Sequence, residues 1–138
     1  MRFIDANVFI YAALKPKKEL PAHIIAMKQS AAAIVKRIQD GEKVMISVVH
    51  LGEIANVLED AAGLKIAIDY CSAILSKPTI SVVSVDAKQY NNASILAGSH
   101  SISLNDSLAL TLMGENQIHE IYTFDRLFTG KGVTVIQQ

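Results

Sequence analysis

The sequence predicts a three-layer α/β/α sandwich around a mostly parallel sheet of four or five strands, and three observations predict it. Short apolar runs recur along the chain, at residues 2–4, 43–46, 79–85 and 120–124. Helix-patterned segments stand between them, long enough for the crossovers that parallel strands require. The first, third and fourth runs each stop at an aspartate, Asp5, Asp86 and Asp125, so acidic groups collect where the loops of such a sheet begin.

Arg2-Phe3-Ile4 is the first strand, and Asp5 with Asn7 makes the turn into a short helix over 8–14 that stops at Lys15-Pro16. Pro21 opens the next helix, with Ile24, Met27, Ala31, Val35 and Ile38 three or four residues apart, and Gly41 closes it. The second strand, 43–46, leads to Ser47, which can cap a helix running past Glu53 to about Leu58. A further helix over 64–75 ends before Pro78. The β-branched run 79–85 is the third strand, and Asp86 caps a helix over 87–97. Residues 98–104 read as a loop, Asn105 and Asp106 begin a helix reaching Met113 or Glu115, and 120–124 is the fourth strand. Val133 to Ile136 is a last, edge strand.

With 138 residues and no repeat, linker or low-complexity stretch, the chain reads as one domain over 1–138. Hydrophobic residues make up 51% and charged residues 19%, which excludes a disordered chain and leaves apolar surface available to a partner. The lone Cys71 excludes an internal disulfide and the thiolate half of a zinc site. Neither an export signal nor a membrane-length apolar run is visible, so a cytoplasmic location is expected. No glycine cluster follows a strand, and no nucleophile elbow is present, which sets aside P-loop, dinucleotide-binding and serine-hydrolase chemistry.

Four acids carry the functional reading. Asp5 and Asp125 follow strands, and Asp106 lies in the first turn of its helix, all toward the carboxyl edge of the sheet. Glu53 lies nearly two turns into an apolar helix, where an inward glutamate needs a partner. Two ionised carboxylates about 5 Å apart repel by about 3 kcal/mol at an effective dielectric near 20. A divalent cation would offset that, and an all-oxygen set suits Mg²⁺ or Mn²⁺ over zinc. Each acid also has an ordinary role open to it: turn residue for Asp5 and Asp125, helix cap for Asp106, snorkelling for Glu53. His23, His50, His100 and His119 lack metal-pair spacing and read as surface or core histidines.

The segments Phe3-Ile4-Asp5-Ala6-Asn7-Val8-Phe9-Ile10, Ser47 with Glu53, Asn105-Asp106-Ser107-Leu108-Ala109 and Thr123-Phe124-Asp125-Arg126-Leu127-Phe128 together resemble the PIN-domain family, and within it the VapC-type toxin ribonucleases. The resemblance spans essentially the whole chain in order and spacing. It implies a Mg²⁺- or Mn²⁺-dependent endoribonuclease acting on RNA, a homodimer, a small antitoxin partner, and Asp5, Glu53, Asp106 and Asp125 as the catalytic metal site. It also implies polar support from Asn7, Ser47 and Thr123, although Asn7 is equally a turn residue and Ser47 equally a cap. The Lys15–Pro21 connection is longer than in many such proteins and reads as a solvated loop or a substrate lip. With four acids committed to metal, nine remain against thirteen basic residues, a net +4 outside the site. Lys17, Lys18, Arg126 and Lys131 are candidates for phosphate contacts. Two rivals remain: a non-catalytic PIN-like module that binds RNA or protein, and an aspartyl-phosphate phosphatase, which wants an acid where Asn7 stands.

Overall fold

A computed structural model describes residues 1–138. Its strands are β1 (Arg2–Ile4), β2 (Val44–Ser47), β3 (Ile80–Val83), β4 (Glu120–Tyr122) and β5 (Thr134–Ile136). The helices are α1 (Ala6–Ala13), α2 (Ala22–Gln39), α3 (Val48–Ala62), α4 (Leu64–Ser76), α5 (Ala87–His100) and α6 (Leu104–Glu115), with a 3-10 turn at Arg126–Phe128. The sheet is five-stranded in the order β3-β2-β1-β4-β5, and every pairing is parallel.

Alternation along the strands divides the core in two. Ile4, Val44, Ile46 and Tyr122 point to one face, where they pack with α1 to α4 through Phe9, Ile34, Ile54 and Ile74. Phe3, Met45 and Ile121 point to the other and meet Ala93, Leu108, Leu112 and Met113 of α5 and α6. Adjacent residues of one strand thus serve opposite layers, as the two-residue period of a strand dictates. Each fully buried side chain of this size contributes roughly 1.5–3 kcal/mol. No helix is long and apolar enough to cross a membrane.

Several elements differ from expectation at their ends. α3 runs on to Ala62, past the last inward residue Leu58, and stops at Gly63, whose φ of 97° breaks the helix. α5 continues through Gly98 to His100, because an interior glycine weakens a helix by only about 1 kcal/mol. It ends at Ser101 in the left-handed conformation, and the loop before α6 shrinks to residues 101–103. The third strand is shorter than its β-branched run, since Ser84 and Val85 lie beyond its pairing with β2.

The strand order fixes where a ligand can enter. From β1 the chain moves outward through β2 to β3, then crosses to the other side of β1 for β4 and β5. The connections leaving β1 and β4 therefore diverge to opposite faces, and a crevice opens between the carboxyl ends of these two strands. Asp5 follows β1 and Thr123 follows β4 at that point, and the Asp5 amide donates to the Tyr122 carbonyl at 2.9 Å.

Candidate active site

Asp5 sits at the N-terminus of α1 but does not cap it with its side chain. Instead its Oδ2 accepts a 2.8 Å hydrogen bond from the Thr123 hydroxyl, which is wholly buried. Thr123 Oγ1 also accepts from the Asp125 amide at 3.0 Å and, more loosely, from Asn7 Nδ2 at 3.4 Å. Asn7 Oδ1 in turn faces the Phe124 amide at 3.4 Å. Asn7 and Thr123 thus tie the turn after β4 to the turn after β1, 118 residues apart for the Thr123–Asp5 bond.

Burial is the largest influence on the Asp5 carboxyl and drives its pKa up to about 7. The Thr123 hydrogen bond opposes this, while the negative charges of Asp106 and Glu53 push it further up. The Asp106 carboxyl is also raised, first by burial and then by Asp125 and Glu53. Through these mutual influences all four predicted acids belong to one electrostatic neighbourhood. The salt bridges of the molecule all lie elsewhere, at Arg2, Lys36 and Lys65, so no lysine or arginine pairs with any of the four.

The ordinary roles divide unevenly among these acids. Ser103, not Asp106, caps α6, its hydroxyl accepting from the Asp106 amide at 3.1 Å. Asp125 does cap, accepting from the Leu127 amide at 2.9 Å at the start of the 3-10 turn. Glu53 is half-buried, and its Oε1 accepts from Asn105 Nδ2 at 2.5 Å. That partner answers the question an inward glutamate poses. Asp86, which also follows a strand, forms a capping box with Gln89 and takes no part in the site.

Ser47 caps α3 as expected, accepting from the His50 amide at 3.2 Å, and makes no hydrogen bond to any of the four acids. Its hydroxyl also meets His50 Nδ1 at 2.6 Å, while His50 Nε2 lies 2.9 Å from the Asn105 carbonyl. A carbonyl can only accept, so Nε2 carries the proton and Nδ1 accepts from Ser47. Burial lowers the His50 pKa and favours that neutral form. His50 is therefore a core histidine, set edge-on to Phe3 with ring centroids 5.4 Å apart. Sequence reasoning missed Asn105 and Tyr90, whose hydroxyl lies 2.9 Å from Asn105 Oδ1. The position of Asn105 beside Asp106 was the only signal available.

As placed, no three of the His, Cys, Asp or Glu side chains are close enough together to hold a metal ion. The donor chemistry nonetheless fits a hard divalent cation. The donors are oxygen only, burial and neighbouring carboxylates raise the pKa of Asp5 and Asp106, and no cationic side chain forms a salt bridge with any of the four.

No curated protein matches the sequence. Among solved structures, the toxin VapC20 of Mycobacterium tuberculosis, described as cleaving the sarcin-ricin loop, superposes with a TM-score of 0.81 at 20% identity over 100% of both chains. A chain of a toxin–antitoxin complex from Klebsiella pneumoniae gives 0.67 at 13% identity, covering 99% of this chain and 96% of that one. VapBC2 of Rickettsia felis, solved on a DNA fragment from its promoter, gives 0.66 at 15% identity, covering 98% and 96%. At these identities the likeness is one of fold, and it confirms the α/β/α sandwich. The PIN-domain sequence profile matches residues 2–132, nearly the whole chain, and so the chain belongs to the PIN-domain family.

Proposed function

We propose that this protein is a divalent-metal-dependent endoribonuclease of the PIN family, the toxin member of a toxin–antitoxin pair. The observation that carries the reading is the Asp5 carboxyl at the β1/β4 crevice, raised to about 7 by burial with Asp106 and Glu53 adding to it and no cation in answer. A fold that maintains such a cluster gives up stability, and a site that binds Mg²⁺ or Mn²⁺ recovers it.

Asp5, Glu53, Asp106 and Asp125 would hold the cation. When bound it supplies a more acidic water and neutralises charge building on a phosphodiester. Thr123 holds one oxygen of Asp5, and Asn105 holds one oxygen of Glu53. Lys17, Lys18 and Arg126 are exposed and outside any salt bridge, available to RNA phosphates without reading sequence. The family pattern would leave a 5′-phosphate and a 3′-hydroxyl.

An antitoxin partner is supported by the toxin–antitoxin complexes among the structures of the same fold. A homodimer is supported by the apolar side chains that α4 leaves exposed, among them Leu64, Ile68 and Leu75, and light scattering tests it. One observation favours the second reading, a PIN-like module that binds without cutting: no three acids yet close around an ion position. Labelled RNA incubated with the purified protein, with and without Mn²⁺, separates the two. Mn²⁺-dependent cleavage that disappears in Asp5→Asn is the expected result, and cleavage persisting in that variant would refute the mechanism.

A further inference from the structure

The geometry points to Asn105 as a positioning residue that, braced by Tyr90, fixes Glu53 and Asp106 relative to each other and so sets the metal affinity of the site. The inference rests on the metal-site reading above and deepens it.

Asn105 lies in the first turn of α6, next to Asp106, and is half-buried between the two helical layers. It makes three links to elements distant in sequence. Its backbone carbonyl accepts from His50 Nε2 of α3 at 2.9 Å. Its side-chain Nδ2 donates to Glu53 Oε1, one turn further along α3, at 2.5 Å, and the Tyr90 hydroxyl of α5 lies 2.9 Å from its Oδ1. The orientation of the amide is determined by its partners. A carboxylate only accepts, so the NH₂ must face Glu53, and the remaining oxygen takes the hydroxyl hydrogen of Tyr90.

The consequence is geometric. Glu53 belongs to the layer that packs with β2 on one face of the sheet, whereas Asp106 begins a helix packed on the other face. Apolar packing ties α3 to the second layer at Val49, about one turn before Glu53, but does not itself set the distance between these two carboxylates. Asn105 does, because its backbone and side chain both grip α3 within one helical turn, and it carries Asp106 as its neighbour. Tyr90 prevents the amide from turning its oxygen toward Glu53, which would set two acceptors face to face. The position makes no claim on catalysis itself, since Asn105 acts through Glu53. Partners of this kind that orient ligating carboxylates typically change metal affinity by about 10–100-fold when removed.

Mn²⁺ titrated by calorimetry into the metal-free protein tests the inference without an activity readout. Asn105→Ala is expected to weaken Mn²⁺ binding by about 10–100-fold. Tyr90→Phe, which removes one hydroxyl far from the ion, is expected to weaken it less, and to have no further effect in the Asn105→Ala background, as coupled residues behave. Circular dichroism establishes that each variant is folded, and Tyr90→Phe keeps the test available if Asn105→Ala is not. A lowered melting temperature with an unchanged Mn²⁺ dissociation constant would make Asn105 a structural hub only and overturn the inference, while the metal-site reading survives. Wild-type protein that binds no Mn²⁺ at millimolar concentration would instead overturn the metal site itself, and this inference with it.

Discussion

Replacing Asp5 with asparagine should make the metal-free protein more stable, and the size of the gain follows from the environment of the carboxyl. Burial, aided by the charges of Asp106 and Glu53, lifts its pKa from 3.8 to about 7. Between these values the folded state retains a proton that the unfolded chain has released. Stability therefore falls as pH rises through this window and levels off above it. At 1.36 kcal/mol for each tenfold change in proton affinity, the cost at pH 8 is about 4 kcal/mol. Asparagine carries no charge at any pH, and its carbonyl can still accept the Thr123 hydroxyl that now bonds Asp5. Urea denaturation in EDTA should show Asp5→Asn more stable than wild type by about 2–4 kcal/mol at pH 8, with the gap closing to under about 1 kcal/mol at pH 4. An Asp5→Asn protein no more stable than wild type at pH 8 would refute the reasoning, because the acid cluster would then carry no strain for a cation to relieve.

Millimolar Mn²⁺ should raise the wild-type melting temperature, by about 2.7 kcal/mol of added stability where its concentration is a hundred times the dissociation constant, and leave Asp5→Asn nearly unmoved. Equal shifts in both proteins, read by scanning calorimetry, would place the ion elsewhere. Asp86→Ala removes the capping box at the head of α5 and should destabilise by about 1 kcal/mol while RNA cleavage at low temperature is unchanged. Tyr122→Phe deletes a buried hydroxyl that donates to Glu42 at 2.7 Å and accepts from Arg2 at 2.6 Å. It should cost roughly 1–3 kcal/mol in urea denaturation, since those charged partners are left short of a hydrogen bond. Asp106→Asn should abolish Mn²⁺-dependent cleavage in a gel assay with circular dichroism unaltered, because Ser103 rather than Asp106 caps α6.

The layering and the parallel sheet were legible because they rest on local signals. Apolar periodicity marked α2, Ser47 and Asp86 announced the helices they cap, and a β-branched run marked β3. Element ends were less so. α3 outlasts its apolar periodicity because only a glycine with positive φ stops it, and α5 tolerates Gly98 because its neighbours hold the helix together. Asp5 and Asp125 could be placed from strand ends alone. The partners of Glu53 could not, since the approach of Asn105 and Tyr90 depends on how α5 and α6 are rotated against α3 across the sheet. No short-range pattern in the sequence records that rotation. His50 shows the same limit: its spacing excluded a metal pair, but only the fold reveals that its ring links Ser47 to the start of α6.

The strand order also governs when the site can exist during synthesis. Asp5, Glu53 and Asp106 all precede β4 in the chain, yet the hydroxyl that holds Asp5 belongs to Thr123, just past that strand, which adds to the free edge of β1. Closing a contact of that span comes late, because the loop entropy must be met before the contact can repay it. A nascent chain that has not yet exposed β4 and Asp125 thus carries three of its four acids in an open, unassembled edge. The order of the strands thus delays the joining of the four acids until β4 has paired with β1.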